Sequence, residues 1–386
     1  MSTITGTSDN DTLTGTTSAD TIYGGDGNDT ITGAAGNDVL YGGKGSDTLS
    51  YSSAYSNYKI TALYEANSPF EATWYYSIQD ISGSDGTDYI SSDVEYLSFS
   101  SGAETYQLGI GSSGADALTG SSSADFLTGG AGNDTLDGGA GTDTVILTGD
   151  ISHFKVTKTS TGYTVVDSVG SDGTDSLRNV ESLKFSDKTI NLTVQAKAAA
   201  SDAASVTRLV ELYVAFFNRV PDADGMSYWI DQINAGSSIN SIAEAFYSAG
   251  INYSSLTGFS ASMSYADFIN VVYKNVLGRA DGADAEALTF WGNALSSGTV
   301  NNGTLVTSIL DSAHTFKGDA TWGWVANLLD NKISVAKTFS IDLGLNYNSS
   351  TESISQGMAI ASAITATDTS SAIALIGVTE SNFILS

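Results

Sequence analysis

From Gly6 the chain divides without gaps into five nine-residue units: GTSDNDTLT, GTTSADTIY, GGDGNDTIT, GAAGNDVLY and GGKGSDTLS. From Gly111 it divides into four more: GSSGADALT, GSSSADFLT, GGAGNDTLD and GGAGTDTVI. The sixth position is aspartate in all nine, at Asp11, Asp20, Asp29, Asp38, Asp47, Asp116, Asp125, Asp134 and Asp143. The eighth is aliphatic in all nine, at Leu13, Ile22, Ile31, Leu40, Leu49, Leu118, Leu127, Leu136 and Val145. A fixed period marks a stacked architecture in which each unit contacts only its neighbours. A glycine-rich linker would not hold an aliphatic residue at every ninth place.

Position eight is the inward side chain of a short strand, so stacked units make a thin aliphatic ladder. The other six residues make the turn, where glycine permits positive φ and close backbone approach. Turn carbonyls and an aspartate from each of two stacked turns then converge on one spot. An oxygen-only, flexible cage suits Ca²⁺ better than Mg²⁺. The candidate ligand set is the nine aspartates together with Gly24, Asp26, Asn28, Gly42, Gly129, Asn133 and Gly138. Residues 1–192 hold 26 acidic and 7 basic residues. Like-charge repulsion and glycine entropy therefore oppose folding unless bound cations supply free energy.

These units resemble the GGxGxDxUx nonapeptides of the RTX (repeats-in-toxin) family. The resemblance implies a parallel β-roll around several calcium ions, with turns 18 residues apart sharing an ion. Asp29 then pairs with Asp47 and Asp11, Asp20 with Asp38, Asp116 with Asp134, and Asp125 with Asp143. GTTSAD and GSSSAD lose two glycines, which points to weaker or empty sites there.

Each array is followed by a strand-rich stretch, and the two match: SGSDGTD with VGSDGTD, and VEYLSFS with VESLKFS. Asp85, Asp88, Asp172 and Asp175 sit in the SDGTD loops, as calcium ligands or as turn residues, the turn reading being preferred. Glu95 and Glu181 recur as structural partners of those loops. From about Ala196 the texture becomes helical. Leu209, Leu212, Tyr213 and Phe216 fall at helical spacing and a turn follows at Pro221. The unit recurs: Arg219 aligns with Arg279, Asp222 with Asp281, Asp224 with Asp284 or nearby, and Trp229 with Trp291. This segment resembles DUF4214, a domain of unknown function, with a good match in the first unit and a looser one in the second. Asp222 and Asp224 are further metal candidates, or turn carboxylates paired with arginine, the preferred reading.

The expected fold is multidomain, β then α. Residues 1–108 and 109–195 are two β-rolls with flanking strands, 196–204 a linker, 205–320 the DUF4214-like domain and 321–386 a helical extension. No basic residue follows Lys337, and Glu380 precedes Phe383, Ile384 and Leu385, as in the uncleaved type I secretion signals that the resemblance implies. The alternative for this end is a packing helix in ESISQGMAIASAI. The stretch MSTITGTSDN has no basic n-region and no apolar run, so it is not expected to act as a secretory leader, and no uncharged apolar run reaches membrane length. The net charge of −28 makes nucleic acid and anionic lipid poor partners. With no Cys, thiolate sites are excluded. His153 and His314 are the only histidines, and neither HExxH nor GxSxG occurs. The expectation is therefore a secreted, non-enzymatic, calcium-folded cell-surface protein that self-assembles into a lattice or filament. The alternative is an adhesin binding cell-surface glycans, through the helical domain or the aromatic loop PFEATWYY.

Overall fold

Threonine alternating with a single aliphatic residue builds most strands of the N-terminal half. The computed structural model describes residues 2–53, 57–63, 75–81, 83, 85–91, 93–101, 104–379 and 381–385. They form two units, 1–186 and 187–386. Glu380 and most of the PFEATWYY loop lie outside the described residues.

In the first unit, the first array supplies β1 (Thr3–Thr5), β2 (Thr12–Thr14), β3 (Thr21–Asp26), β4 (Thr30–Thr32), β5 (Val39–Lys44) and β6 (Thr48–Tyr51). Its flank supplies β7 (Tyr58–Leu63), β8 (Tyr75–Asp80), β9 (Thr87–Ile90), β10 (Tyr96–Ser101) and β11 (Glu104–Ile110). The second array gives β12 (Ala117–Thr119), β13 (Asp125–Thr128), β14 (Thr135–Asp137) and β15 (Thr144–Ile146). The second flank gives β16 (Phe154–Lys158), β17 (Tyr163–Asp167), β18 (Thr174–Arg178) and β19 (Ser182–Lys184).

Successive strands of an array go to opposite sheets, so a strand pairs in parallel with the one 18 residues on. One sheet runs β1-β3-β5-β9-β8-β7, another starts β2-β4-β6-β10-β11-β13-β15-β19, and a third starts β12-β14-β18-β17-β16. Position eight forms the ladders. Ile4, Ile22, Leu40 and Ile90 stand in register, as do Leu13, Ile31, Leu49 and Leu97. In the second roll the rows are Leu118, Leu136, Leu177 and Leu127, Val145, Leu183. Ile22, Ile31, Leu40 and Leu49 are fully buried, each stabilising the fold by roughly 1.5–3 kcal/mol.

The two rolls expected at 1–108 and 109–195 belong to one unit. β11 pairs antiparallel with β10 and parallel with β13, so one sheet continues from the first roll into the second.

The second unit contains β20 (Lys188–Asn191), antiparallel to β21 (Leu345–Tyr347). Its helices are α1 (Val194–Ala200), α2 (Ala203–Phe217), α3 (Ala223–Asn234), α4 (Ile239–Asn252), α5 (Ser254–Thr257) and α6 (Tyr265–Leu277). They continue as α7 (Ala285–Ser296), α8 (Asn302–Thr315), α9 (Gly323–Lys337), α10 (Ser350–Ser362) and α11 (Ser370–Ile376). Leu209, Leu212, Tyr213 and Phe216 of α2 are buried, and Asn218 ends that helix in the left-handed conformation. The expected linker, 196–204, is largely helical. Its alanines favour helix, and Asp202 caps α2 by accepting from the Ser205 N–H. Extension and helical domain are also not separate, because α10 lines a cavity with α2, α3 and α4.

Candidate metal centres of the rolls

Every turn carries its aspartate into the stack, and backbone hydrogen bonds align it. The Asp11 N–H donates to Asp29 Oδ1 (2.8 Å) and the Asp29 N–H to Asp47 Oδ1 (2.7 Å). On the opposite side the Asp20 N–H donates to Asp38 Oδ1 at 2.8 Å. In the second roll the same bond joins Asp116 to Asp134 and Asp125 to Asp143, both at 2.8 Å. These are the pairs implied by the 18-residue spacing.

The ladders do not stop at the arrays. The Asp38 N–H donates to Asp88 Oδ1 (3.0 Å), and the Asp47 N–H to Glu95 Oε2 (2.8 Å). The Asp134 N–H donates to Asp175 Oδ1 (3.0 Å), and the Asp143 N–H to Glu181 Oε2 (2.8 Å). Residues 83–91, GSDGTDYIS, and 170–178, GSDGTDSLR, are therefore two more nonapeptides, with Asp88 and Asp175 at position six and Ile90 and Leu177 at position eight. The sequence alone leaves Asp88 and Asp175 as calcium ligands or turn residues, with the turn reading preferred. The detectable signal was Gly at positions one and four, Asp at six and an aliphatic at eight. Asp85 and Asp172 are engaged by more distant parts of the chain: Asp85 accepts from the Tyr58 hydroxyl at 2.7 Å, and Asp172 from the Thr148 N–H at 2.6 Å. Glu95 and Glu181 prove to be ladder members.

The outer carboxylate oxygens fall into two kinds. In four turns Oδ2 is capped from position two. The Thr7 N–H and hydroxyl donate to Asp11 (2.6 and 2.8 Å), those of Thr16 to Asp20 (2.6 and 2.7 Å), and those of Ser112 to Asp116 (2.6 and 2.9 Å). The Ser121 N–H does the same for Asp125. In the other five turns position two is left-handed: Gly25, Ala34, Gly43, Gly130 and Gly139 have φ of 118, 67, 109, 81 and 91°. There the Oδ2 atoms of Asp29, Asp38, Asp47, Asp134 and Asp143 are buried without any hydrogen-bond partner.

A buried carboxylate oxygen without a partner costs several kcal/mol unless a cation meets it. Burial accordingly pushes the Asp38, Asp47 and Asp134 carboxyls up, Asp143 to about 6, and Asp88, Glu95 and Asp175 to about 7. Position one closes the cradle. A Cβ on Gly33 would stand 2.6 Å from Asp38 Oδ2, and one on Gly24 would collide with the Gly42 carbonyl and Asp29 Oδ2. Gly42, Gly129 and Gly138 face Asp47, Asp134 and Asp143 in the same way. Among the described residues no three acidic, His or Cys side chains cluster as a metal site, so backbone carbonyls must complete each cage. This donor set, carboxylate plus carbonyl oxygen, fits Ca²⁺.

Three candidates stand apart from the cages. Asp26 is exposed and pairs with Lys44 at 3.1 Å. The side-chain oxygens of Asn28 and Asn133 accept the N–H groups of Ser46 (3.0 Å) and Thr174 (2.8 Å), forming a second ladder.

In the helical unit Asp222 caps α3 through the Gly225 N–H (2.7 Å), pairs with Arg219 (3.1 Å) and accepts from the Ser353 hydroxyl (2.9 Å). Asp284 caps α7 and pairs with Arg279 at 3.3 Å. The equivalent of Asp222 is thus Asp284, not Asp281. Trp229 and Trp291 each lie seven residues beyond these caps. Asp224 is exposed and accepts from the Asn191 amide at 2.8 Å. Asp222 is thus held as a helix cap and ion-pair partner, and Asp224 as an amide acceptor. Arg219 and Asp222 line a cavity of about 270 Å³ with Tyr213, Phe217, Trp229 and Phe246.

Residues 5–40, 14–49 and 110–145 match the RTX calcium-binding nonapeptide repeat, and 252–317 match the domain of unknown function DUF4214. These segments carry RTX calcium-binding nonapeptide repeats, and the helical segment 252–317 carries a DUF4214 match. Such repeats are typical of secreted proteins. The DUF4214 match falls on the second helical unit, whereas the first had been expected to match better. No curated protein matches the chain. Among solved structures it is similar to extracellular lipase LipA from Serratia marcescens, at 20% identity and TM-score 0.21. That match covers 45% of this chain and 37% of the lipase. At this similarity no activity transfers. The expectation that the chain is not an enzyme does not stand: RTX repeats of the kind matched here occur in enzymes as well, and the missing HExxH and GxSxG motifs do not exclude one. Among the described residues no helix is long and apolar enough to cross a membrane.

Proposed function

We propose that this is a calcium-dependent secreted structural protein of the cell surface, which folds and assembles with copies of itself outside the cell as a surface layer or filament. The carrying observation is the set of buried, unpartnered carboxylate oxygens in a chain of net charge −28. Such a roll needs calcium at extracellular concentrations, about 10⁻⁴–10⁻³ M for sites of this kind, and stays unfolded and exportable where calcium is scarce. The C-terminal segment without basic residues serves as a type I secretion signal. Assembly is supported by the sheet edges. Among the described residues β1 and β2 pair on one side only, and Ile4 and Leu13 are only partly covered. An open strand edge above an incomplete aliphatic ladder is a template for another chain. A second reading, glycan binding, draws on the aromatic cavity around Trp229 and Arg219.

The test is calcium titration of chelator-stripped protein, followed by circular dichroism and light scattering together. Rising β-structure with growth of large ordered particles supports the proposal. Folding to a stable monomer rejects self-assembly and favours the glycan reading, which a glycan array then tests. No change in either signal rejects calcium-dependent folding.

A further inference from the structure

Resting on the calcium reading, the arrangement of capped and unpartnered carboxylates gives each roll a direction. The capped turns are the first two of each array, closed by Thr7 and Thr16 in one and by Ser112 and Ser121 in the other. The unpartnered oxygens belong to the later turns, where Asp29, Asp38, Asp47, Asp134 and Asp143 are at most 2% exposed. Ala34 is informative because it is not glycine. It still holds φ 67°, and Asp38 beside it is still unpartnered. The left-handed backbone at position two, rather than glycine itself, therefore goes with the open carboxylate.

On their C-terminal side, four of these open carboxylates face a flank residue instead of another array turn. Asp88 and Asp175 are buried, and Glu95 and Glu181 continue the same ladders. The flank supplies carbonyl oxygens too. A Cβ on Gly42 would strike the Asp93 carbonyl, and one on Gly138 the Asn179 carbonyl, as one on Gly24 would strike that of Gly42. None of the flank carboxylates falls within the residues matched by the repeat model.

We propose that calcium sits at the C-terminal end of each roll, between Asp38 and Asp88, Asp47 and Glu95, Asp134 and Asp175, and Asp143 and Glu181. The first two turns of each roll take no ion, because their own hydroxyl and amide groups already occupy the carboxylate. In the first roll Asp29 and Asp47 form one further site made by the array alone. The flank hairpins are thus clamped to the rolls by shared ions. The hydroxyl turns are metal-free caps.

The experiment is calcium stoichiometry on the chelator-stripped full chain, by titration calorimetry and native mass spectrometry. The double variant Asp88→Asn/Asp175→Asn is expected to bind two fewer ions. Asp11→Asn/Asp116→Asn, in the capped turns, is expected to leave the count unchanged. A full count in the first variant, or a reduced count in the second, overturns the placement. Terbium provides a readout that does not depend on the Asp88 variant folding. The Tyr51 hydroxyl donates to Asp88 Oδ2 at 3.2 Å, which leaves Asp38 Oδ2 as the open oxygen of that site and puts the ring close enough for excitation of Tyr51 to sensitise terbium emission. Tyr51→Phe should lower that emission at an unchanged ion count, and unchanged emission counts against the Asp38–Asp88 site. If the unaltered chain binds no calcium, the calcium reading itself falls; if it binds calcium in another pattern, only this placement does.

Discussion

A carboxylate pushed up by burial makes the folded state bind more protons than the unfolded one. Asp143 at about 6, and Asp88, Glu95 and Asp175 at about 7, are groups of this kind when no cation meets them. Their contribution to stability is fully present below the ordinary carboxylate range and is lost as pH rises through the raised values. Asp20 has the opposite sign. The Thr16 N–H and hydroxyl hold it at about 2, so its contribution is lost as pH falls through that value. Calcium-free protein is therefore expected to be most structured near pH 4 and to lose β-structure between about pH 4 and pH 7. Calcium binding near neutral pH is expected to release protons. Circular dichroism against pH in chelator checks the first point, and calorimetry in buffers of different ionisation enthalpy the second. A calcium-free roll that grows more stable from pH 4 to 7 contradicts the account.

The strands and caps carry different weights. Leu49→Ala removes one rung of a ladder that is a single side chain deep, at a cost of about 2–5 kcal/mol. The calcium midpoint for folding should rise accordingly, since more binding free energy is then required. In the helical unit Asp284→Ala removes an exposed cap and costs about 1 kcal/mol. Asp222→Ala should cost more, about 2–3 kcal/mol, because it also strips the partner from the half-buried Arg219 and from Ser353. Thermal melts of the two variants check that order. These elements also show what the sequence made legible. Asp at six and an aliphatic at eight located the arrays and the 18-residue pairing. GSDGTDYIS and GSDGTDSLR obey the same rule, but each stands alone behind a hairpin and out of phase with its array. Only strand register, Leu40 beside Ile90 and Leu136 beside Leu177, brings them in. The match of Asp222 to Asp284 was hidden because two residues separate Arg219 from its cap but four separate Arg279 from its own.

The molecule divides its dependence on metal between its two units. All the buried, unpartnered carboxylate oxygens found among the described residues lie before residue 187. The second unit has a buried core of its own, including Leu209, Phe216, Phe246, Phe268, Leu305 and Leu329. Chelator added to the full chain should therefore remove β-structure and leave the helical signal. Four of the five tryptophans, Trp229, Trp291, Trp322 and Trp324, belong to the second unit and Trp74 to the first, so most of the tryptophan emission should stay, and all of it in a Trp74→Phe background. Loss of helix and β-structure together on chelation would show that the second unit depends on the first.

The amide-to-carboxylate ladder also imposes an order of events in time. Each turn is fixed by the oxygen of a residue further along the chain, and the last oxygens come from Asp88, Glu95, Asp175 and Glu181. A roll assembled this way zips backwards, from its flank toward its first turn. Under tension applied at its beginning, it should give way one coil at a time rather than all at once.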